Sequence, residues 1–105
     1  MASILDNQAI REIALPISVG QYHEFVRSGI IGESTELLRG VIVEKMTKSP
    51  RHTWTVQQLN DWFGPRVQPG AYLRKEEPLT LRVSEPEPDI AIVEGCPDDY
   101  LNAHP

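Results

Sequence analysis

Residues 85–95, EPEPDIAIVEG, constrain the fold of this 105-residue chain more than any other segment. Pro86 and Pro88 have no backbone N–H to give to a ladder, so they bracket a turn. Directly after them, residues 89–93 (DIAIV) form the most apolar strand of the sequence. A strand this apolar belongs in a sheet interior, with neighbours on both sides. Yet it comes almost last in the order of elements. The expectation is a domain whose neighbouring strand is not among these 105 residues.

The other elements lie upstream. Residues 1–17 show no sustained period and read as a mobile leader, with a short amphipathic piece over 10–15 closed off by Pro16. Ser18 with Gln21 three residues on makes a capping-box start. Tyr22, Phe25 and Val26 then share a helical face, and Gly29 ends the run. ELLRGVIVEKM reads as a hairpin, strands 36–38 and 41–46, turning at Arg39-Gly40, with Leu37, Val41 and Val43 on the buried face. Ser49-Pro50 opens a second helix with a capping side chain and a proline at the first helical position. Val56, Leu59 and Phe63 recur at helical spacing beside Trp62, which reads as core packing rather than a base-stacking surface, and Gly64-Pro65 stops the run. Residues 72–75 and 79–83 read as strands, the second from the alternation of Leu79, Leu81 and Val83 with Thr80 and Arg82. Asp98-Asp99-Tyr100-Leu101 reads as a possible further helix start. The class is α/β in the α+β sense: one domain over 18–105, with helices packed on a mostly antiparallel sheet.

A chain of this length buries roughly 65% of its unfolded surface, enough for one modest core. No apolar run approaches the roughly 20 residues of a membrane-spanning helix, and the N-terminus lacks the basic start and apolar stretch of a secretory peptide. A cytoplasmic location follows by default. Cys96, the single cysteine, has no internal disulfide partner and no zinc-ligand spacing around it. The net charge of −5 is unevenly spread. Residues 84–105 hold six acids and no Lys or Arg, whereas the preceding 83 residues hold ten basic side chains against nine acids. Such an acidic stretch is either a solvated surface or a set of carboxylates facing a cation.

Chemistry enters at Pro88-Asp89. A Pro-Asp pair entering an apolar strand places one carboxylate at a sheet end on rigid backbone, the position a divalent metal needs against a scissile phosphate. A second carboxylate, and often a lysine that steadies transition-state charge, must join it. Taken alone, such an aspartate more often bonds to backbone N–H groups of its own turn.

Five short motifs in order change that balance: ELLRGVIVEKM, SPRH opening a helix, EEPLTL, EPEPDIAIVEG and DDYLNAHP. Together, from about Ser18 to Pro105, they resemble the Uma family of endonucleases, which belongs to the PD-(D/E)XK superfamily with its restriction-endonuclease-like fold. The resemblance implies a Mg²⁺-dependent endonuclease domain that hydrolyses DNA phosphodiester bonds. It makes Asp89 the first metal-binding carboxylate, and Glu36 and His52 further residues of the family pattern. The family continues beyond the equivalent of His104-Pro105 into a strand bearing the second metal-binding glutamate, followed by a lysine. No Asp/Glu-x-Lys triplet occurs in these 105 residues, and Lys45, Lys48 and Lys75 all precede Asp89. The expectation is an incomplete domain, the N-terminal portion, inactive by itself.

Alternatives stand beside each residue. Glu36 is either part of the site or a surface charge at a strand end. His52 either makes a polar contact at its helix start or touches phosphate or metal. Glu44 reads as solvated, and His23 as packing or surface. Arg51, Arg66, Arg74, Lys75 and Arg82 are the candidates for a phosphate backbone, which gives affinity without sequence readout. The rival function is a non-catalytic binding module that pairs with another chain, or with a second copy, through an exposed strand edge.

Overall fold

The computed structural model describes residues 6–105. In order they form α1 (Gln8–Ile13), α2 (Val19–Arg27), β1 (Thr35–Leu38), β2 (Val41–Glu44), α3 (Pro50–Phe63), β3 (Ala71–Lys75) and β4 (Ile90–Glu94), with 3₁₀ turns at Gly64–Arg66 and Pro97–Tyr100. The class is mixed α+β. The strands make two separate two-stranded antiparallel sheets, β1-β2 and β3-β4, rather than one sheet. A single bridge, Leu37 to Glu85, ties the first hairpin to the segment leading into β4. No helix among the described residues is long and apolar enough to cross a membrane.

Local chemistry accounts for the helix starts. Ser18 Oγ accepts from the Gln21 N–H at 3.0 Å, and the Gln21 side chain accepts from the Ser18 N–H at 2.9 Å, the full capping box. Ser49 Oγ caps α3 by accepting from the His52 N–H at 3.1 Å. The leader contains α1, begun by Asn7, whose side chain accepts from the Ala9 N–H at 2.9 Å. The leader then docks, with the Ile17 N–H donating to Gly40 O at 3.0 Å. Residues 1–5 of the leader lie outside the described residues.

The hairpin turns at Arg39 (φ 49°) and Gly40 (φ 80°), both left-handed as a two-residue hairpin turn requires. That turn sets the register Leu37↔Ile42 and Leu38↔Val41. Because paired residues share a face, Leu37 lies with Ile42, while Val41 and Val43 lie on the opposite face with Leu38 and Glu36. The buried face expected for Leu37, Val41 and Val43 is corrected accordingly. Leu37 is fully buried, with Tyr22 and Val56 the other buried apolar side chains among the described residues.

Residues 79–83 are not a strand. Prolines 78, 86 and 88 remove donors on both sides of this run, and its backbone bonds are scattered rather than laddered: Leu79 N–H to Pro86 O (2.9 Å), Leu81 N–H to Ser84 O (2.9 Å) and Thr80 N–H to Pro105 O (2.7 Å). The alternation of Leu81 and Val83 buries neither side chain, and both are exposed. The aromatic Trp62, expected in the core, is 54% exposed and carries the Arg66 guanidinium over its ring at 4.2 Å. Leu59 is likewise exposed, so Val56 is the buried contact of α3.

β4 pairs with β3 alone among the described strands, and Ile92 is 53% exposed. The accessible surface of 8088 Å² exceeds by about a third the roughly 5,900 Å² of a compact monomer of this mass.

Candidate metal centre

The β3-β4 ladder builds the site. Its last pair is Lys75↔Ile90, and one step further the Glu76 N–H donates to Asp89 O at 3.1 Å. Glu76 and Asp89 therefore meet across the open end of the sheet. Glu76 has φ 57°, a left-handed conformation uncommon for a residue with a Cβ. The first turn of α3 brings His52 to the same end. Its Nε2 lies 3.2 Å from Asp89 Oδ1. One potential ligand atom from each of His52, Glu76 and Asp89 falls within 4.8 Å of the others.

These side chains line a cavity of about 410 Å³, and Glu36, Lys45, Lys48 and Glu87 face it too. The three residues singled out from sequence, Glu36, His52 and Asp89, thus come together from three elements separated by up to 53 positions. Glu36 Oε1 accepts from the Glu87 N–H at 2.6 Å, which fixes the β1 glutamate against the proline turn. Lys45 pairs with the Glu87 carboxylate, and Lys48 Nζ lies 2.8 Å from Glu76 Oε2. Hydrogen bonding from Lys48 is the main reason the Glu76 carboxyl is held below its ordinary value of 4.5, and the charges of Lys48, Lys75 and His52 add to it against partial burial.

The donor set suits a divalent cation. His52 Nε2 is closed off from solvent and makes no hydrogen bond, although Asp89 stands beside it. A shielded imidazole nitrogen whose neighbour is a carboxylate out of hydrogen-bond alignment is a place where a cation can satisfy both groups. Two carboxylates and this nitrogen, converging on one space, are the ligand types that hold Mg²⁺ or first-row divalent ions.

Sequence reasoning missed Glu76, Glu87, Lys45 and Lys48. Only the register of β3 against β4 brings Glu76 opposite Asp89. Of the basic candidates, Arg51, Arg66, Arg74, Lys75 and Arg82, none lines this cavity. Arg74 donates instead to Pro78 O (3.0 Å) and faces His104 Nδ1 (3.2 Å), and Lys75 donates to Gln57 Oε1 (3.3 Å). His23 bonds the buried carboxylate of Glu85 at 2.5 Å, a structural contact away from the cavity. Glu44 and Cys96 are exposed. Compared with known proteins, the chain matches no family model, no curated protein and no solved structure.

Proposed function

We propose that the cavity is the first half of a restriction-endonuclease-like active site that hydrolyses DNA phosphodiester bonds, with Asp89 holding Mg²⁺. One observation carries this reading: Glu36, His52 and Asp89, chosen from separate motifs, line the same cavity. Its electrostatics point the same way. Four carboxylates (Glu36, Glu76, Glu87, Asp89) face two lysines (Lys45, Lys48), which sum to two negative charges. A phosphodiester is repelled by that balance, and one divalent ion cancels it. Bound there, the ion supplies Lewis-acid polarisation of a phosphoryl oxygen and a more acidic water. The protein's part is positional. Asp89 stands at the strand end, Glu36 is fixed through the Glu87 N–H, and His52 is fixed by the capped first turn of α3.

Both lysines of the cavity are engaged by carboxylates before an ion binds, and neither stands in the Asp/Glu-x-Lys pattern that the family's chemistry uses. The 105-residue polypeptide is therefore expected not to nick plasmid or single-stranded DNA with Mg²⁺ or Mn²⁺. Supplying a segment with the second glutamate and the lysine, by co-expression, is expected to give chelator-sensitive cleavage that disappears in Asp89→Asn. Cleavage that survives Asp89→Asn sinks the assignment of this carboxylate.

The second reading, a binding module without chemistry, is favoured by the edge of β4 that no other described strand pairs and by the large exposed surface. Strand addition at that edge provides main-chain hydrogen bonds to a partner. Stable docking of the added segment without any cleavage would select it.

A further inference from the structure

We propose that Glu76 joins His52 and Asp89 in a three-ligand cation site that prefers first-row transition ions to Mg²⁺ and fills by displacing the Lys48 ammonium. The proposal rests on the reading of Asp89 as a metal carboxylate and adds to it a further carboxylate from this chain, the ion preference and the resident counter-charge.

Three independent features converge. The ligand atoms of the three residues lie within 4.8 Å of one another. Donors to one ion at bond lengths of about 2.0–2.2 Å sit at most about 4.4 Å apart. Because at most one pair of three donors can be trans, side-chain movement on the order of an ångström closes the set. The backbone of Glu76 is held left-handed directly after β3. A non-glycine residue in that region is sustained by its surroundings and is a pointer to function when its side chain faces a cavity. His52 Nε2 is shielded from solvent and stands 3.2 Å from Asp89 Oδ1 without the alignment of a hydrogen bond.

Lys48 already does part of a cation's work. Its Nζ sits 2.8 Å from Glu76 Oε2, and its side chain is 46% exposed, free to swing away into solvent. A divalent ion brings twice the charge to the same carboxylate and reaches Asp89 and His52 as well, so the ammonium is the weaker occupant. The imidazole sets the preference. Mg²⁺ takes oxygen donors and sheds water reluctantly, whereas Mn²⁺ and, more strongly, Zn²⁺ accept a nitrogen ligand.

The test is Mn²⁺ binding by the 105-residue chain, read by the loss of the free-ion electron-resonance signal, with Mg²⁺ and Zn²⁺ as competitors. The expected result is one Mn²⁺ per chain, displaced readily by Zn²⁺ and poorly by Mg²⁺. Loss of even a supporting partner weakens a metal site on the order of 10- to 100-fold, so Glu76→Gln and Asp89→Asn should each weaken Mn²⁺ by about tenfold or more. Lys48→Gln should tighten it, a direction that misfolding cannot mimic. His52→Gln should narrow the gap between Mn²⁺ and Mg²⁺. If Asp89→Asn weakens binding and Glu76→Gln does not, the three-ligand site is wrong while the metal role of Asp89 stands. If Asp89→Asn has no effect, both fall. No Mn²⁺ binding by the wild-type chain overturns the site, and the complemented cleavage assay then judges Asp89 separately. Weaker binding in Lys48→Gln overturns the displacement.

Discussion

Glu76 shows how one residue couples charge to stability. Its folded-state pKa lies below the ordinary value of 4.5, chiefly through the hydrogen bond from Lys48. A depressed carboxyl contributes stability that is complete above its unfolded value and is lost as pH falls through the folded one. The stabilising contribution of Glu76 is therefore present at neutral pH and disappears on acidification below about pH 4.5. Denaturation midpoints of the wild-type chain and Glu76→Gln should differ at pH 6 and converge as the pH is lowered toward 3. A gap that stays constant across this range would mean that the Lys48 contact does not act on Glu76. Glu85 illustrates the opposite case of a carboxylate spent on structure. It is 7% exposed, accepts from Thr80 Oγ1 at 2.9 Å, bonds His23, and exchanges backbone hydrogen bonds with Leu37.

At the scale of elements, the β1-β2 hairpin organises its neighbours. Its turn holds the leader on one side and the 83–85 segment on the other: Gly40 O accepts from the Ile17 N–H (3.0 Å), the Gly40 N–H donates to Val83 O (3.1 Å), and the Arg39 N–H donates to Ser84 Oγ (2.8 Å). Glycine is required at 40 twice over. Its φ is 80°, and a Cβ built there would stand 2.2 Å from Pro16 Cβ. Gly29, with φ 79°, has the same backbone need but nothing within 4 Å of such a Cβ. Alanine at either position carries a left-handed backbone penalty of about 1–2 kcal/mol. Gly40→Ala should cost distinctly more than Gly29→Ala in chemical denaturation, because it also displaces Pro16 or the turn. Equal losses would show that the leader does not pack against the hairpin.

For the molecule as a whole, the issue is unclosed surface. The radius of gyration is 15.9 Å, against about 13 Å for a compact domain of 105 residues. The accessible area of 8088 Å² exceeds the compact expectation by about 2,200 Å². A standard protein interface covers only about 800 Å² on each partner. Ile92 on β4, and Leu81, Val83 and Leu101 elsewhere, contribute to the exposed apolar surface. An apolar strand with a free edge invites pairing with another chain. Size exclusion with light scattering should show a dimer or larger species, or a monomer that binds hydrophobic dye and unfolds without a sharp transition. A monomer with cooperative unfolding and no dye binding would show that this core is sufficient as it stands.

What the sequence determined by itself was local. Ser18 with Gln21, Ser49 with Pro50, and Arg39 with Gly40 each specify an element through contacts spanning a few residues, and these elements form within a residue or two of their expected bounds. Asp89, Glu36 and His52 were legible as candidates because their motifs are contiguous. Tertiary structure decided whatever depends on who lies opposite whom. The alternation of Leu79, Leu81 and Val83 describes a strand only if a neighbour accepts its ladder, and the flanking prolines leave it none. Which face of the hairpin carries Val41 and Val43 followed from register, where a shift of one residue exchanges the two sides. Trp62 fits a helical core stripe in sequence, but what covers a stripe is set by other parts of the chain. Glu76 and Lys48 joined the candidate site for the same reason. They are 28 positions apart, and only the pairing of β3 with β4 and the approach of α3 bring their charges to one place.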